Sequence, residues 1–276
     1  VHRSEPDRLL SVCGLRQRRV CYRRGILGLE DKVKTVISLY DFTGEALRPW
    51  AEAGYSCYAY DIQHKKQEAP NWEYKHENFE SGGSINYIHA DLHDHKTLNG
   101  IQDTFSNSNV VFGMAFPVCT DMAVSGAAWF EKKRQANPSF QNEAVSYAVW
   151  CAKLFNSMVV PFFVENPISV LATKWRKPDH KFHPYEYGGY IPEAEAEHPR
   201  WPEYIPAHDA YKKATCLWTG NGFKMPEPRA VDPEAYYGNG YSKAMMKLGG
   251  KSQRTKDIRS ATPRGFARAV YEANNG

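Results

Sequence analysis

The 276-residue sequence has no long apolar run: its most apolar stretch, Met158 to Val164, covers seven residues and contains Pro161. A bilayer needs roughly 20 such residues, so no transmembrane span and no membrane partner are expected. Residues 1–29 have neither the continuous apolar segment nor the small-residue cleavage site of a secretory signal. The cysteines Cys13, Cys21, Cys57, Cys119, Cys151 and Cys216 form no C-x-x-C pair and have no histidine at metal-ligand spacing, so no metal is expected. They read as reduced thiols of a cytosolic protein. A full G-x-G-x-x-G fingerprint, internal repeats and low-complexity tracts are also missing.

What is present is ample apolar material, 42% hydrophobic and 13% aromatic residues, which excludes disorder for most of the chain. The formal net charge of +4 hides three zones: +5 over residues 1–29, −7 over 30–242 and +7 over 243–268. The first zone, rich in Arg and poor in hydrophobic periodicity, reads as a disordered or non-native extension. Residues 30–176 read as the catalytic and cofactor-binding core, 177–242 as a short irregular target-side region, and 243–276 as a basic segment with a closing helix.

Val33 to Tyr40 is β-branched and apolar and ends at Asp41-Phe42-Thr43-Gly44. Glu45 to Ala53 suits a helix, and Tyr55 to Tyr60 reads as a second strand ending on Asp61. Such a unit implies a parallel sheet with a crossover helix. Gln63 to Asn86 reads as loop, Tyr87 to Ala90 and Asn109 to Met114 as strands, Ala123 to Lys133 and Asn142 to Ser157 as helices. Val159 to Val164 is a further strand, stopped by Glu165-Asn166-Pro167. The alternation predicts an α/β fold with a doubly wound, mostly parallel, Rossmann-like sheet and a small irregular C-terminal region laid over it. Thr262 to Ala273 reads as the last helix, with Thr262 as N-cap and Pro263 in the first turn.

In such a sheet ligands bind beyond the carboxyl ends of the strands. Gly44 lets backbone approach a ligand, and Asp61, 17 residues later, is placed to accept from ribose hydroxyls. The pair suits a nucleoside-containing cofactor and equally an ordinary glycine turn with an acidic strand end. Asp91 could accept from an adenine amino group or cap the following helix. Cys119 lies in a polar loop before a helix, where backbone N–H groups and the helix dipole favour a nucleophilic thiolate. Glu165 could face that thiol as a proton donor, or cap the turn before Pro167.

Taken in order, these elements resemble the DNA (cytosine-5) methyltransferases, in particular small phage and prophage forms. Phe42-Thr43-Gly44 is similar to the family's first motif, Asp61 to the second and Asp91 to the third. Pro117-Val118-Cys119 is similar to the catalytic loop, Val164-Glu165-Asn166 to the Glu-Asn motif and Ser260-Ala261-Thr262-Pro263 to the closing motif. The resemblance implies a fold of the S-adenosylmethionine-dependent methyltransferase type and a cofactor site of Phe42, Thr43, Gly44, Asp61, Ile62, Asp91, Leu92 and Pro117. It implies Cys119 as the nucleophile that adds to C6 of cytosine, Glu165 at N3, and Asn166 holding the loop. DNA is the implied partner, its cytosine flipped out or single-stranded, met by a monomer in the cytoplasm of a bacterial host. Arg176, Lys177, Lys251, Arg254, Lys256 and Arg259 are the expected phosphate contacts.

Val118 separates Pro117 from Cys119, Thr120 stands where the family has Gln, and no Gln-x-Arg-x-Arg motif is found. Two alternatives therefore stand beside C5 methylation. One is an enzyme adding a different one-carbon group at pyrimidine C5, and the other an inactive DNA-binding or decoy protein on a methyltransferase scaffold.

Overall fold

The computed structural model describes residues 33–65, 75–233 and 252–276. The expected extension at 1–29 and the cations Lys243, Lys247 and Lys251 lie outside the described residues. One sheet organises the rest, built from β1 (Lys34–Leu39), β2 (Ser56–Asp61), β3 (His76–Asn78), β4 (Ser84–His89), β5 (Asn109–Ala115), β6 (Phe162–Pro167), β7 (His180–Phe182) and β8 (Thr215–Gly220). Their order across the sheet is β3-β4-β2-β1-β5-β6-β8-β7.

The five strands β4, β2, β1, β5 and β6 run parallel. The chain builds outward from β1 through β2 to β4, then returns to lay β5 on the other side of β1. That reversal falls between β1 and β5, and in open α/β sheets ligands are held at the carboxyl edge of such a switch point. The sheet is mixed rather than uniformly doubly wound: β3 is an antiparallel edge, and β8 lies antiparallel between β6 and β7.

Alternation along β1 serves two cores. Ile37 and Leu39 join a cluster with Leu98 and Ile101 of α2 (His95–Thr104) and with Ala148, Cys151 and Phe155 of α4 (Phe140–Met158). Val36 points to a second cluster with Trp50 of α1 (Arg48–Glu52) and Phe266, Ala269 and Val270 of α7 (Arg264–Asn274). Burial on both faces explains why these strands read as nearly continuous apolar runs.

Several elements differ from expectation. The segment read as loop before Asn86 contains β3 and the start of β4, because pairing with β2 and β4 overrides its polar composition. The helix expected over 123–133 divides into a 3-10 helix, Val124–Trp129, and α3, Phe130–Ala136. α5 is one short turn, Leu171–Lys174, and α6 covers Gln253–Ser260. α7 starts two residues later than Thr262 and has no side-chain cap; Asp209, from another segment, accepts from Gly265 N–H at 3.0 Å instead. The 177–242 segment contributes β7 and β8 to the sheet itself. Among the described residues no helix is long and apolar enough to cross a membrane.

Gly113 of β5 has no room for a side chain, since a Cβ there would lie 2.3 Å from the ring of Phe155 on α4. Gly113→Ala should destabilise the fold by about 1–3 kcal/mol through overpacking. A lower urea midpoint with an unchanged slope is the expected outcome.

Candidate active site

Strand register brings the expected site residues level. Leu39 pairs with Tyr60 on one side and Ala115 on the other, and Ala115 pairs with Val164. The chain leaving each strand therefore emerges at one edge: Asp41 to Gly44, Asp61, Pro117 to Cys119, and Glu165-Asn166.

The turn after β1 is fixed from within. Tyr40 takes a left-handed backbone, φ 57°, while its hydroxyl donates to Leu92 O at 3.1 Å. The buried Asp41 accepts from Ser38 Oγ and Gly44 N–H, each at 2.8 Å. Burial pushes the Asp41 carboxyl upward, and those two donors oppose the shift. Gly44 has φ 71°, and a Cβ on it would lie 2.6 Å from Tyr87 Oη. Only glycine fits this buried turn, because Tyr87 fills the space a side chain would take.

Asp61 is buried, and one carboxylate oxygen accepts from Gln63 N–H at 2.7 Å. Phe42 stacks on His64 with centroids 5.6 Å apart, and His64 Nε2 donates to Asp41 O at 3.2 Å. His89 Nδ1 in turn bonds His64 O at 2.8 Å. His64, which the sequence reading did not single out, thus ties the ends of β1, β2 and β4 together. Burial lowers its pKa and keeps the ring neutral.

Thr43 and Pro117 are buried, whereas Ile62 is 57% exposed at the rim. Leu92 is buried, with its carbonyl taken by Tyr40. Asp91 is exposed and accepts from His93 N–H at 3.0 Å; Asp94, not Asp91, caps α2.

On the opposite lip, Asn166 Nδ2 donates to Pro117 O at 2.9 Å, which pins the loop carrying Cys119 to the end of β6. Asn166 is 1% exposed, and its Oδ1 has no partner. Cys119 and Glu165 are half-buried and feel each other electrostatically. Burial raises the Glu165 carboxyl, and the nearby Lys213 ammonium pulls it back. The Cys119 thiol is also raised, first by burial and then by Glu165, with Lys213 again opposing. That overturns the expectation of a thiol depressed by a helix N-terminus: the 3-10 helix begins only at Val124, and desolvation dominates.

Lys213 was not among the site residues expected from the sequence. Because β8 is antiparallel, with Leu217 opposite Glu165, its amino-terminal side reaches the same edge that the parallel strands reach with their carboxyl ends. Lys213, just before β8, donates to Arg259 O at 3.1 Å and shares a small cavity with Glu165, Phe116 and Ser260 to Pro263. An antiparallel return strand was the signal that would have found it.

Of the expected phosphate contacts, Arg176 is engaged elsewhere. Its guanidinium pairs with both oxygens of Asp179 at 2.7 Å and donates to Thr219 O at 2.9 Å, so it braces β8. Lys177 is exposed, as are Arg254, Lys256 and Arg259 on α6. Thr255 and Ile258 face inward, and Ile258 packs with Ile205 and Tyr211. The exposed Gln253 at the start of α6 bonds Gln63 after β2. The helix therefore runs from the Asp61 side of the edge to the Glu165 side: eight residues at 1.5 Å each, about 12 Å, roughly match three strand spacings.

No family model and no curated protein matches the chain. Among solved structures, it is similar to a protein assigned as a DNA modification methyltransferase encoded within prophage Cp of E. coli, with 13% identity and a TM-score of 0.40. The match covers 72% of this chain and 53% of that one, so this chain spans about half its length.

Alkylation of Cys119 should speed up with pH and reach half its maximum above the ordinary thiol range. Lys213→Met should move that midpoint higher still, since it removes the one cation that lowers the thiol. Iodoacetamide labelling read by peptide mass mapping checks both; an unshifted midpoint in Lys213→Met would contradict the electrostatic coupling.

Proposed function

We propose that the protein methylates C5 of cytosine in DNA through a covalent Cys119–C6 adduct, with S-adenosylmethionine as methyl donor. The observation that carries this reading is the pairing of a thiol and a carboxyl across one lip of the sheet, with the thiol loop pinned by Asn166 to Pro117. C5 of cytosine is a weak nucleophile. Addition of the Cys119 thiolate at C6, with Glu165 donating a proton or hydrogen bond to N3, makes C5 enamine-like. A carboxyl raised by burial suits that donation at neutral pH.

The glycine turn at Gly44 and the buried acidic end of β2 at Asp61 fit a nucleoside, so Phe42, Thr43, Gly44, Asp61, Ile62, Leu92 and Pro117 would hold the cofactor, with Asp91 at its rim. S-adenosylmethionine supplies an electrophilic methyl group, which C5 takes. Loss of the C5 proton then lets Cys119 leave. Lys213, beside both groups, limits the cost of the thiolate and stands where the sequence has no arginine motif.

The target base must be flipped out or presented single-stranded, at a cost of a few kcal/mol. Lys177 and the exposed cations Arg254, Lys256 and Arg259 of α6 would offset it by contacting phosphates. Residues 30–176 on this reading carry the cofactor and the nucleophile, and 177–276 the target side.

DNA containing 5-fluorocytosine tests the mechanism, because fluorine cannot leave C5 as a proton does. With S-adenosylmethionine present, a protein–DNA adduct at Cys119 is expected, and Cys119→Ser should abolish it. No adduct despite intact DNA binding would overturn catalysis in favour of the inactive, DNA-binding alternative.

A further inference from the structure

Among the described residues seven large hydrophobic side chains are more than half exposed, and four of them lie on the segment that carries Cys119 or on the one bonded to it: Val118 (53%), Val124 (53%), Trp129 (62%) and Ile168 (51%). They come from two loops that are stitched together. Val124 N–H donates to Ile168 O and Val170 N–H to Met122 O, each at 3.0 Å, and Ala123 forms a bridge with Ser169. Exposed single apolar residues are normal, but four on two joined segments around the candidate nucleophile mark a contact surface.

Charge identifies the partner. Residues 118–134 and 168–177 carry six cations against two acids, although residues 30–242 as a whole hold 20 against 27. Lys133 and Arg134 pair with those two acids, Asp121 and Glu131, and Arg176 pairs with Asp179. Lys132, Lys174 and Lys177 are exposed and have no acidic partner among the described residues. Lys174 donates to the neutral Asn142 Oδ1 at 2.9 Å, so its charge also stays unneutralised. Apolar and aromatic side chains interleaved with such lysines suit a nucleic acid strand, whose bases stack while its phosphates meet the cations. The 3-10 helix from Val124 to Trp129 rises about 2.0 Å per residue, so the two ends lie about 10 Å apart, roughly the length of three stacked bases.

We propose that Val118, Val124, Ile168 and Trp129 form a ledge on which the bases neighbouring the target cytosine stack, with Trp129 as its outermost platform. The proposal rests on the reading of the protein as a DNA methyltransferase. It assigns the strand a path: the target base enters beside Cys119, and its neighbours run out along the ledge toward Trp129. Val118, which separates Pro117 from Cys119, becomes part of this surface.

The test uses the full chain and a fluorescent single-stranded oligonucleotide with one cytosine, titrated across a salt series. Trp129→Ala should weaken binding roughly 5- to 100-fold, the value of one base–aromatic stack, and leave the salt slope unchanged. Lys132→Gln should instead flatten the slope by about 0.7. An abasic site placed near the cytosine should cost the wild type a similar factor, and at one position should cost Trp129→Ala nothing further. Ile168→Ser gives an independent variant, and thermal unfolding confirms that both fold.

Wild-type binding with an unchanged Trp129→Ala affinity and a full abasic penalty would overturn the ledge alone. A change in sedimentation on Trp129→Ala, showing that the surface meets a second copy, would overturn it as well. Failure of the wild type to bind any oligonucleotide would overturn the methyltransferase reading too.

Discussion

The hydrogen bond from Asn166 Nδ2 to Pro117 O joins the two segments that carry the candidate site. Pro117 follows a strand in the middle of the sheet and Asn166 lies near the end of its neighbour, and the pairing of Ala115 with Val164 sets them level. The bond anchors the near end of the loop carrying Cys119 to β6, and the backbone bonds of Met122 and Val124 to the 168–170 segment anchor its far end. Thiol and carboxyl are thereby held on one lip, and the cofactor-side residues are held on the other by Asp41 and His64. Each buried bond of this kind contributes about 1 kcal/mol net, and losing one partner costs more, because the remaining group stays unsatisfied.

Electrostatics at the site divides the labour unevenly. Burial raises both Cys119 and Glu165, and the Glu165 carboxylate makes ionisation of the thiol harder still. Lys213 opposes both shifts. On the proposed reading, the raised carboxyl favours donation to N3 of the base, while the raised thiol is a handicap that Lys213 partly offsets.

The parallel core was legible because its strands are buried on both faces and read as short apolar runs, and because each ends on a polar residue or a glycine. Cys119, Glu165, Asp61 and Gly44 were found by looking just past those ends, and the structure brings them to one edge. β3 and β8 were not legible: they are held by pairing and not by pattern. That is why Lys213 was missed and why Arg176, which braces β8 from some 40 residues away, passed for a phosphate contact. The lowered thiol was misjudged because helix proximity can be seen in a sequence and desolvation cannot. The exposed Val118, Val124, Ile168 and Trp129 could be recognised as a surface only once two loops, more than 40 residues apart, were seen stitched together.

On the proposed reading, the juxtaposition of Cys119 and Glu165 commits the protein to one carbon of one base. Nucleoside mass analysis of DNA incubated with the protein and S-adenosylmethionine reads that commitment directly. The expected result is 5-methylcytosine, present with the wild type and absent with Cys119→Ser. A methyl group found instead on an exocyclic amine of cytosine or adenine, or 5-methylcytosine formed equally well without the thiol, would contradict it.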